Sequence, residues 1–383
     1  MQETILSIQD LQVDFRLRGQ VLHALRGVSL EVWKQESLAI VGESGCGKSV
    51  LSKTMMGLLE LNGQISQGSV RYYGHPAGVP ERKDDAGRDF VDLVQLKQNK
   101  KWLNIRGKEI CMVPQDPMTS LNPLHPIGHQ IVEAIRLHSK VSRDQAKSIA
   151  LQVLQDVRMD DPQRRFHQYP HELSGGMRQR VVIGIAMACN PKILICDEPT
   201  TALDVTIQAQ VLELLKELKE KYQLTILFIT HDLGVVASTA DRVAVMYAGE
   251  IVEAGMADEI FYDPRHPYTW ALLSSLPQLG TKGESLHAIR GTPPGLHLPI
   301  QGDAFAPRNP WALNIDLLKP PPRFDITPTH WAKTWLLDPR APQVDPPEEI
   351  RKLASWEGHL CPHYYRSKTC LLHLEMGARP STP

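Results

Sequence analysis

Hydrophobic and polar positions alternate at the start of the chain. Leu11, Val13 and Phe15 are separated by single polar residues, and Val28, Leu30 and Val32 repeat the pattern. A period of two predicts half-buried strands. Further on the pattern changes to short, nearly continuous apolar runs: "SLAIVG" (37–42), "ILICDE" (193–198) and "TILFITH" (225–231). Such runs are expected of strands covered on both faces of a parallel sheet. Between about 116 and 190 the period lengthens. Ser142 and Gln145 frame a capping box, and Ala146, Ile149, Ala150, Val153, Leu154 and Val157 follow at helical spacing. The pattern predicts an α/β core with a mainly parallel sheet, interrupted by a helical block.

Two stretches depart from this rhythm. Residues about 74–101 are polar and charged and read as an insertion. Within and after it, "KQNKKWLNIRGK" (97–108) gathers five cations around Trp102 and Ile105. A solvated loop and surface helix is the expectation there, with contact to acidic headgroups or a partner as the alternative. The second stretch is marked by proline. Nineteen of the 29 prolines lie after residue 260, together with five of the seven tryptophans. Proline alone would suggest a flexible tail, but tryptophan is costly to leave in water, so an irregular, packed appendage is expected. The chain is therefore divided into 1–265 and 266–383.

The 383 residues carry a formal charge of −1, without the basic excess of a dedicated nucleic-acid binder, so no nucleic-acid partner is expected. Six scattered cysteines suit a reducing cytosol better than a disulfide framework. Neither a leader-like basic and apolar start nor an apolar run near the roughly 18 residues of a membrane span is evident. If the protein works at a membrane, another chain must hold it there.

The chemistry begins at "GESGCGKS" (42–49), which follows the apolar run "LAIV" and precedes a helical pattern. Strand, glycine-rich loop and helix form the context of a phosphate-binding loop. Backbone N–H groups of Gly42, Glu43, Ser44, Gly45, Cys46 and Gly47, with Val50 entering the helix, would wrap the phosphates. Lys48 would reach the β- and γ-phosphates, and the Ser49 hydroxyl would bind Mg²⁺. Asp197 ends a buried strand and is placed to hold Mg²⁺, while Glu198 beside it is placed to polarise a water. His231 ends the next buried strand as a candidate γ-phosphate sensor. Gln115 follows another apolar stretch, within reach of Mg²⁺ or the water. A second anion site is written at 173–180, "LSGGMRQR": Leu173, Ser174, Gly175, Gly176 and Met177 stand before an apolar helical run.

These residues, in this order, resemble the ATP-binding subunits of ABC transporters over about residues 4–270. The resemblance implies the P-loop ABC ATPase fold: a mainly parallel sheet, an antiparallel N-terminal β subdomain and an inserted helical subdomain. It implies ATP and Mg²⁺ as cofactors, a D-loop at "TALD" with Asp204, and Phe15 stacked on adenine; a core strand role is the alternative for Phe15. It also explains the second anion site. Two ATPase subunits of the family meet head to tail, and Ser174, Gly175 and Gly176 of one would meet the γ-phosphate held by the other. "QDPMTSLNP" (115–123), "HPYTWALLSSLP" (266–277) and "GTPPGL" (291–296) are similar to the oligopeptide and dipeptide importer ATPases. "GDAFAPRNPWALNID" looks most like the Gram-positive oligopeptide type.

The implied function is ATP hydrolysis that energises oligopeptide import. The implied partners are a second, related ATPase subunit, two membrane permease subunits and an extracellular peptide-binding protein, with this chain on the cytoplasmic face. An importer of another solute, or a soluble ABC ATPase of DNA repair or translation, is the alternative. Relatives with cysteines at "GCxFxxRC" bind an iron–sulfur cluster. Here Asp303 and Asn309 stand at those places, and no such cluster is expected. "CPHYYRSKTC" (361–370) is spaced poorly for zinc.

Overall fold

The computed structural model describes residues 2–17, 19–96, 99–201, 203–276 and 289–356. Two sheets organise it. The first is antiparallel and holds β1 (Thr4–Leu17), β2 (Gln20–Trp33), β4 (Gly63–Tyr72), β5 (Arg82–Lys83) and β6 (Asp89–Asp92) in the order β2-β1-β4-β6-β5. Alternation holds at the end of β1, where Leu11, Val13 and Phe15 are buried between more exposed neighbours.

The second sheet has eight strands: β3 (Ser37–Val41), β7 (Ile110–Val113), β8 (Ile193–Asp197), β9 (Thr225–Thr230), β10 (Arg242–Tyr247), β11 (Glu250–Met256), β12 (Arg323–Asp325) and β13 (Trp331–Lys333). Their order is β12-β13-β11-β10-β3-β9-β8-β7. From β10 to β7 every pairing is parallel. Strands β3, β8 and β9 are buried along their whole length, as their unbroken apolar sequences require. Helices Ile127–His138, Arg143–Asp156 and Gly175–Met187 form the helical block, and the Ser142 capping box is closed in both directions.

One expectation needs correction. The stretch 74–101, read as a polar insertion, contributes β6, which joins β4 and buries Phe90 and Val91. The cationic segment 97–108 does form a short helix, Asn99–Trp102, with Lys100 exposed, but it is not solvated throughout. Trp102 and Ile105 are buried, and the Trp102 indole N–H donates to Leu96 O at 2.9 Å. Arg106 lies over the Trp102 ring and donates to the carbonyls of Met56 and Gly57, at the end of helix Lys48–Met55. Lysines attract the eye in this sequence, but an aromatic and a branched aliphatic residue decide its place.

The C-terminal appendage enters the main sheet. Strand β13 pairs with β11, and β12 extends the edge. Glu253, fully buried on β11, accepts hydrogen bonds from the backbone N–H groups of Arg265 and His266 and lies 2.9 Å from His330 Nε2. Burial pushes the His266 pKa down to about 3 and keeps that ring neutral.

Candidate active site

Four neighbouring strands, β3, β9, β8 and β7, end on one edge of the sheet. Each delivers one piece of the site there: the loop 42–49 after β3, His231 after β9, Asp197 and Glu198 at β8, and Gln115 after β7. The carboxyl edge of a parallel sheet is where α/β proteins bind ligands, since loops and helix N-termini converge there.

The loop needs its glycines. Gly47 has φ 109° and precedes helix Lys48–Met55; a Cβ on it would lie 2.8 Å from Ala24 O. A Cβ on Gly42 would lie 2.1 Å from Met246 O. Lys48 is buried, and its Nζ donates to Gly42 O at 2.7 Å and Glu43 O at 2.9 Å. Cys46 is buried beside it, while Ser44 and Gly45 are exposed at the loop's crest. Burial raises the Cys46 pKa, against the pull of Lys48.

Asp197 is buried and accepts from Ser49 Oγ at 3.4 Å and Ser52 Oγ at 3.3 Å. Burial raises its pKa despite those two bonds, and the Glu198 charge adds to the rise. Glu198 sits at φ 47° and is gripped from three sides. Gln115 Nε2 donates to Oε2 at 2.7 Å, Thr201 Oγ1 donates to Oε2 at 3.0 Å, and His231 Nδ1 lies 3.0 Å from Oε1. Partial burial would raise the Glu198 pKa, but the bonds from His231 and Thr201 outweigh it and hold it below the usual value. The carboxylate is therefore ionised at neutral pH and can accept a proton or orient a water.

The structure thus brings Lys48, Ser49, Asp197, Glu198, Gln115 and His231 to one edge. Ser52 and Thr201 join them without a sequence signal of their own, apart from Ser52 lying one turn after Ser49. Gln115 is bonded to Glu198. Phe15 is buried on the same face of β1 as Val13, and a Cβ on Gly63 would lie 2.8 Å from its ring.

The second anion motif lies on the helical block. Ser174 caps helix Gly175–Met187 and accepts from Met177 N at 3.4 Å. Ser174 and Gly175 are exposed, whereas Leu173 and Gly176 are buried. A Cβ on Gly176 would lie 2.5 Å from Ile207, but one on Gly175 would meet nothing closer than 3.8 Å. Asp204 caps helix Val205–Tyr222 through Ile207 N.

At the two places where the resemblance sets cysteines, the structure shows turn caps. Asp303 accepts from Phe305 N at 2.9 Å and Asn309 from Trp311 N at 3.0 Å. Cys361 and Cys370 lie outside the described residues. Cys46, Cys111, Cys189 and Cys196 are free thiols. Among the described residues no helix is long and apolar enough to cross a membrane.

A glycine-rich phosphate loop, a strand-end aspartate and a glutamate held by glutamine and histidine define a P-loop ATPase of the ATP-binding cassette class. Comparison with known proteins carries this further. The ABC transporter family model matches residues 25–201, and that of the oligopeptide/dipeptide transporter C-terminal region matches residues 252–315. The chain is 54% identical, over 91% of its length and 94% of the relative, to the oligopeptide transport ATP-binding protein AmiE of Streptococcus pneumoniae serotype 4. It is 53% identical, over 92% and 95%, to the oligopeptide transport ATP-binding protein OppD of Bacillus subtilis. A solved ATP-binding cassette dimer in a post-hydrolysis state, bound to ADP and Pi, matches 66% of this chain and 98% of its own at TM-score 0.55 and 25% identity. The chain belongs to the ABC transporter family, among its oligopeptide/dipeptide ATP-binding subunits.

Proposed function

We propose that this chain hydrolyses ATP to drive import of oligopeptides, as a peripheral subunit on the cytoplasmic side of a membrane transporter. The grip of Gln115, Thr201 and His231 on an ionised Glu198, beside Asp197 and Ser49, carries the reading. The nucleotide's phosphates lie over the N–H groups of 42–49, and Lys48 exchanges its loop carbonyls for phosphate oxygens. Magnesium fits the oxygen donors that converge at Ser49 Oγ and the Asp197 carboxylate. One carboxylate and one hydroxyl, completed by phosphates and water, is the donor set this ion prefers. Bound there, it would neutralise phosphate charge. Glu198 orients the water, Gln115 and His231 hold Glu198, and the Phe15 ring lies on the adenine.

Ser174, Gly175 and Gly176 serve the nucleotide of a second, related ATPase subunit. ATP then bridges two chains in the closed state alone, which is the differential affinity that shifts an equilibrium. The helical block after Gln115 docks on two permease subunits, fed by an extracellular peptide-binding protein. Two measurements test this. Lys48→Ala should abolish binding of ADP with magnesium, seen by calorimetry. ATP hydrolysis by the reconstituted transporter should rise with oligopeptides and not with sugars or metal complexes. Stimulation by the latter solutes alone would overturn the substrate assignment.

A further inference from the structure

Glu43, second residue of the phosphate loop, has every polar group committed. Its carbonyl accepts from Lys48 Nζ at 2.9 Å, and its N–H donates to Tyr268 Oη at 2.8 Å. Its carboxylate takes both arms of the Arg308 guanidinium, at 2.5 and 2.9 Å. Two of these three partners come from the appendage, 225 and 265 residues away in sequence.

The appendage holds those partners rigidly. Tyr268 is fully buried, its ring 4.5 Å from Tyr247 and 5.3 Å from Phe305. Phe305 begins the turn that carries Arg308. The turn is tied by Asp303 to Phe305 N, by Asp303 N to Asp316 O at 2.7 Å, and by Asn309 to Trp311 N. Arg308 itself also donates to Arg290 O and Tyr247 Oη, and only 4% of its side chain is exposed. Such a fork fixes the carboxylate in direction as well as in charge, which an ammonium cannot do.

We propose that Arg308 is a positioning residue of the nucleotide site. By clamping Glu43 it holds the phosphate loop in shape and neutralises a carboxylate beside the place of a polyanion. The appendage thereby sets nucleotide affinity. This rests on reading 42–49 as the phosphate site. Without Arg308, Glu43 keeps its charge, loses its partner and turns toward the phosphates.

The test is calorimetric binding of ADP with magnesium to the full chain, with thermal unfolding followed in parallel. Arg308→Gln should weaken binding about tenfold, the scale of one charge-assisted hydrogen bond. Arg308→Lys, which keeps charge and stem, should recover part of the loss and serves as the probe should Arg308→Gln fail to fold. Adding Glu43→Gln to Arg308→Gln should recover part of the loss, because the carboxylate freed by the first change is then gone. In the reconstituted transporter the KM for ATP should rise more than kcat falls. Wild-type affinity in Arg308→Gln, or losses from Glu43 and Arg308 that simply add, would overturn the proposal. Lys48→Ala separates the two readings. If it abolishes binding while Arg308→Gln does not weaken it, the clamp falls and the site stands. If Lys48→Ala binds normally, both fall.

Discussion

The two anion motifs of this chain are built on opposite principles. Around the phosphate loop, Lys48 and Asp197 are buried and Glu198 is partly so; Lys48 is bonded to carbonyls of its own loop, and Asp197 and Glu198 to side chains from other strand ends. Buried charge is tolerated only when it is satisfied from within, so this half is complete in one chain. At the second motif Ser174 and Gly175 face solvent, and the Ser174 hydroxyl serves the helix cap. A helix start leaves its first N–H groups without partners in the helix. The glycines repeat the contrast at one-residue resolution: a Cβ on Gly176 would lie 2.5 Å from Ile207 behind it, while one on Gly175 would meet nothing closer than 3.8 Å among the described residues.

The largest effect should come from the complete half. Glu198→Gln keeps shape and loses the ionised acceptor, so ATP turnover by the assembled transporter should fall by about 100-fold or more, with nucleotide binding retained. Phosphate release at the normal rate would remove Glu198 from the chemistry. The next effect should come from the open half. A Cβ at residue 175 makes only an ordinary contact with Leu203, and an acid in the first turn of a helix does not harm it, so Gly175→Asp should fold. This variant should bind ADP through its own loop as the wild type does, yet fail to associate with the second ATPase subunit in ATP, as measured by sedimentation in the Glu198→Gln background. Loss of its own ADP binding would break the comparison, since the two motifs would then serve one nucleotide in one chain.

How much of this is legible in the sequence follows the same division. The phosphate loop is readable because its geometry is local: glycine spacing, the strand before and the helix after sit within a few residues. Asp197, Glu198 and His231 are readable because buried parallel strands are unbroken apolar runs, and a polar residue at their end stands out. Arg308 and Tyr268 are not readable as parts of the site, because nothing near them in sequence announces a partner in the phosphate loop. Strands β5 and β6, of two and four residues, are too short to show a period. Trp102 is misread because the charges flanking it dominate the local composition. Thr201 and Ser52 are ordinary until the fold sets them beside carboxylates.

Phe15 tests where the complete half ends. It shares a face of β1 with Val13, whose ladder partner Leu25 lies against Gly47. Stacking on a base is worth about 1–3 kcal/mol, so Phe15→Ala should weaken ADP binding by about fivefold or more. Phe15→Tyr keeps the ring and should be nearly silent. Truncation of a buried phenylalanine also costs about 3–5 kcal/mol of stability. Lost stability with unchanged affinity would therefore make Phe15 a core residue and leave the adenine to other groups.

The smallest effect concerns the turn that carries Arg308, and it asks whether the phosphate half leans on the appendage. Asp303 is buried, and burial lifts its pKa from 3.8 to about 7, with Asp316 adding to the rise and the Phe305 N–H opposing it. Below about pH 4 the carboxyl is protonated folded or unfolded. Between about 4 and 7 the folded chain binds more protons than the unfolded one, so stability must fall as pH rises through that window. Asp303→Asn cannot titrate, yet its amide oxygen still accepts from Phe305 N. The midpoint of thermal unfolding should thus fall less steeply with pH in Asp303→Asn than in the wild type, and the variant should be the more stable above about pH 7. Equal slopes would mean that Asp303 is ionised in the folded protein throughout. Nucleotide affinity should not follow the same window, because the Arg308 guanidinium keeps its charge at every pH tested. If affinity does follow it, and Asp303→Asn abolishes the dependence, then the proton on this turn reaches the phosphate loop through Arg308 and Glu43, and the clamp is sensitive to pH as well as to sequence.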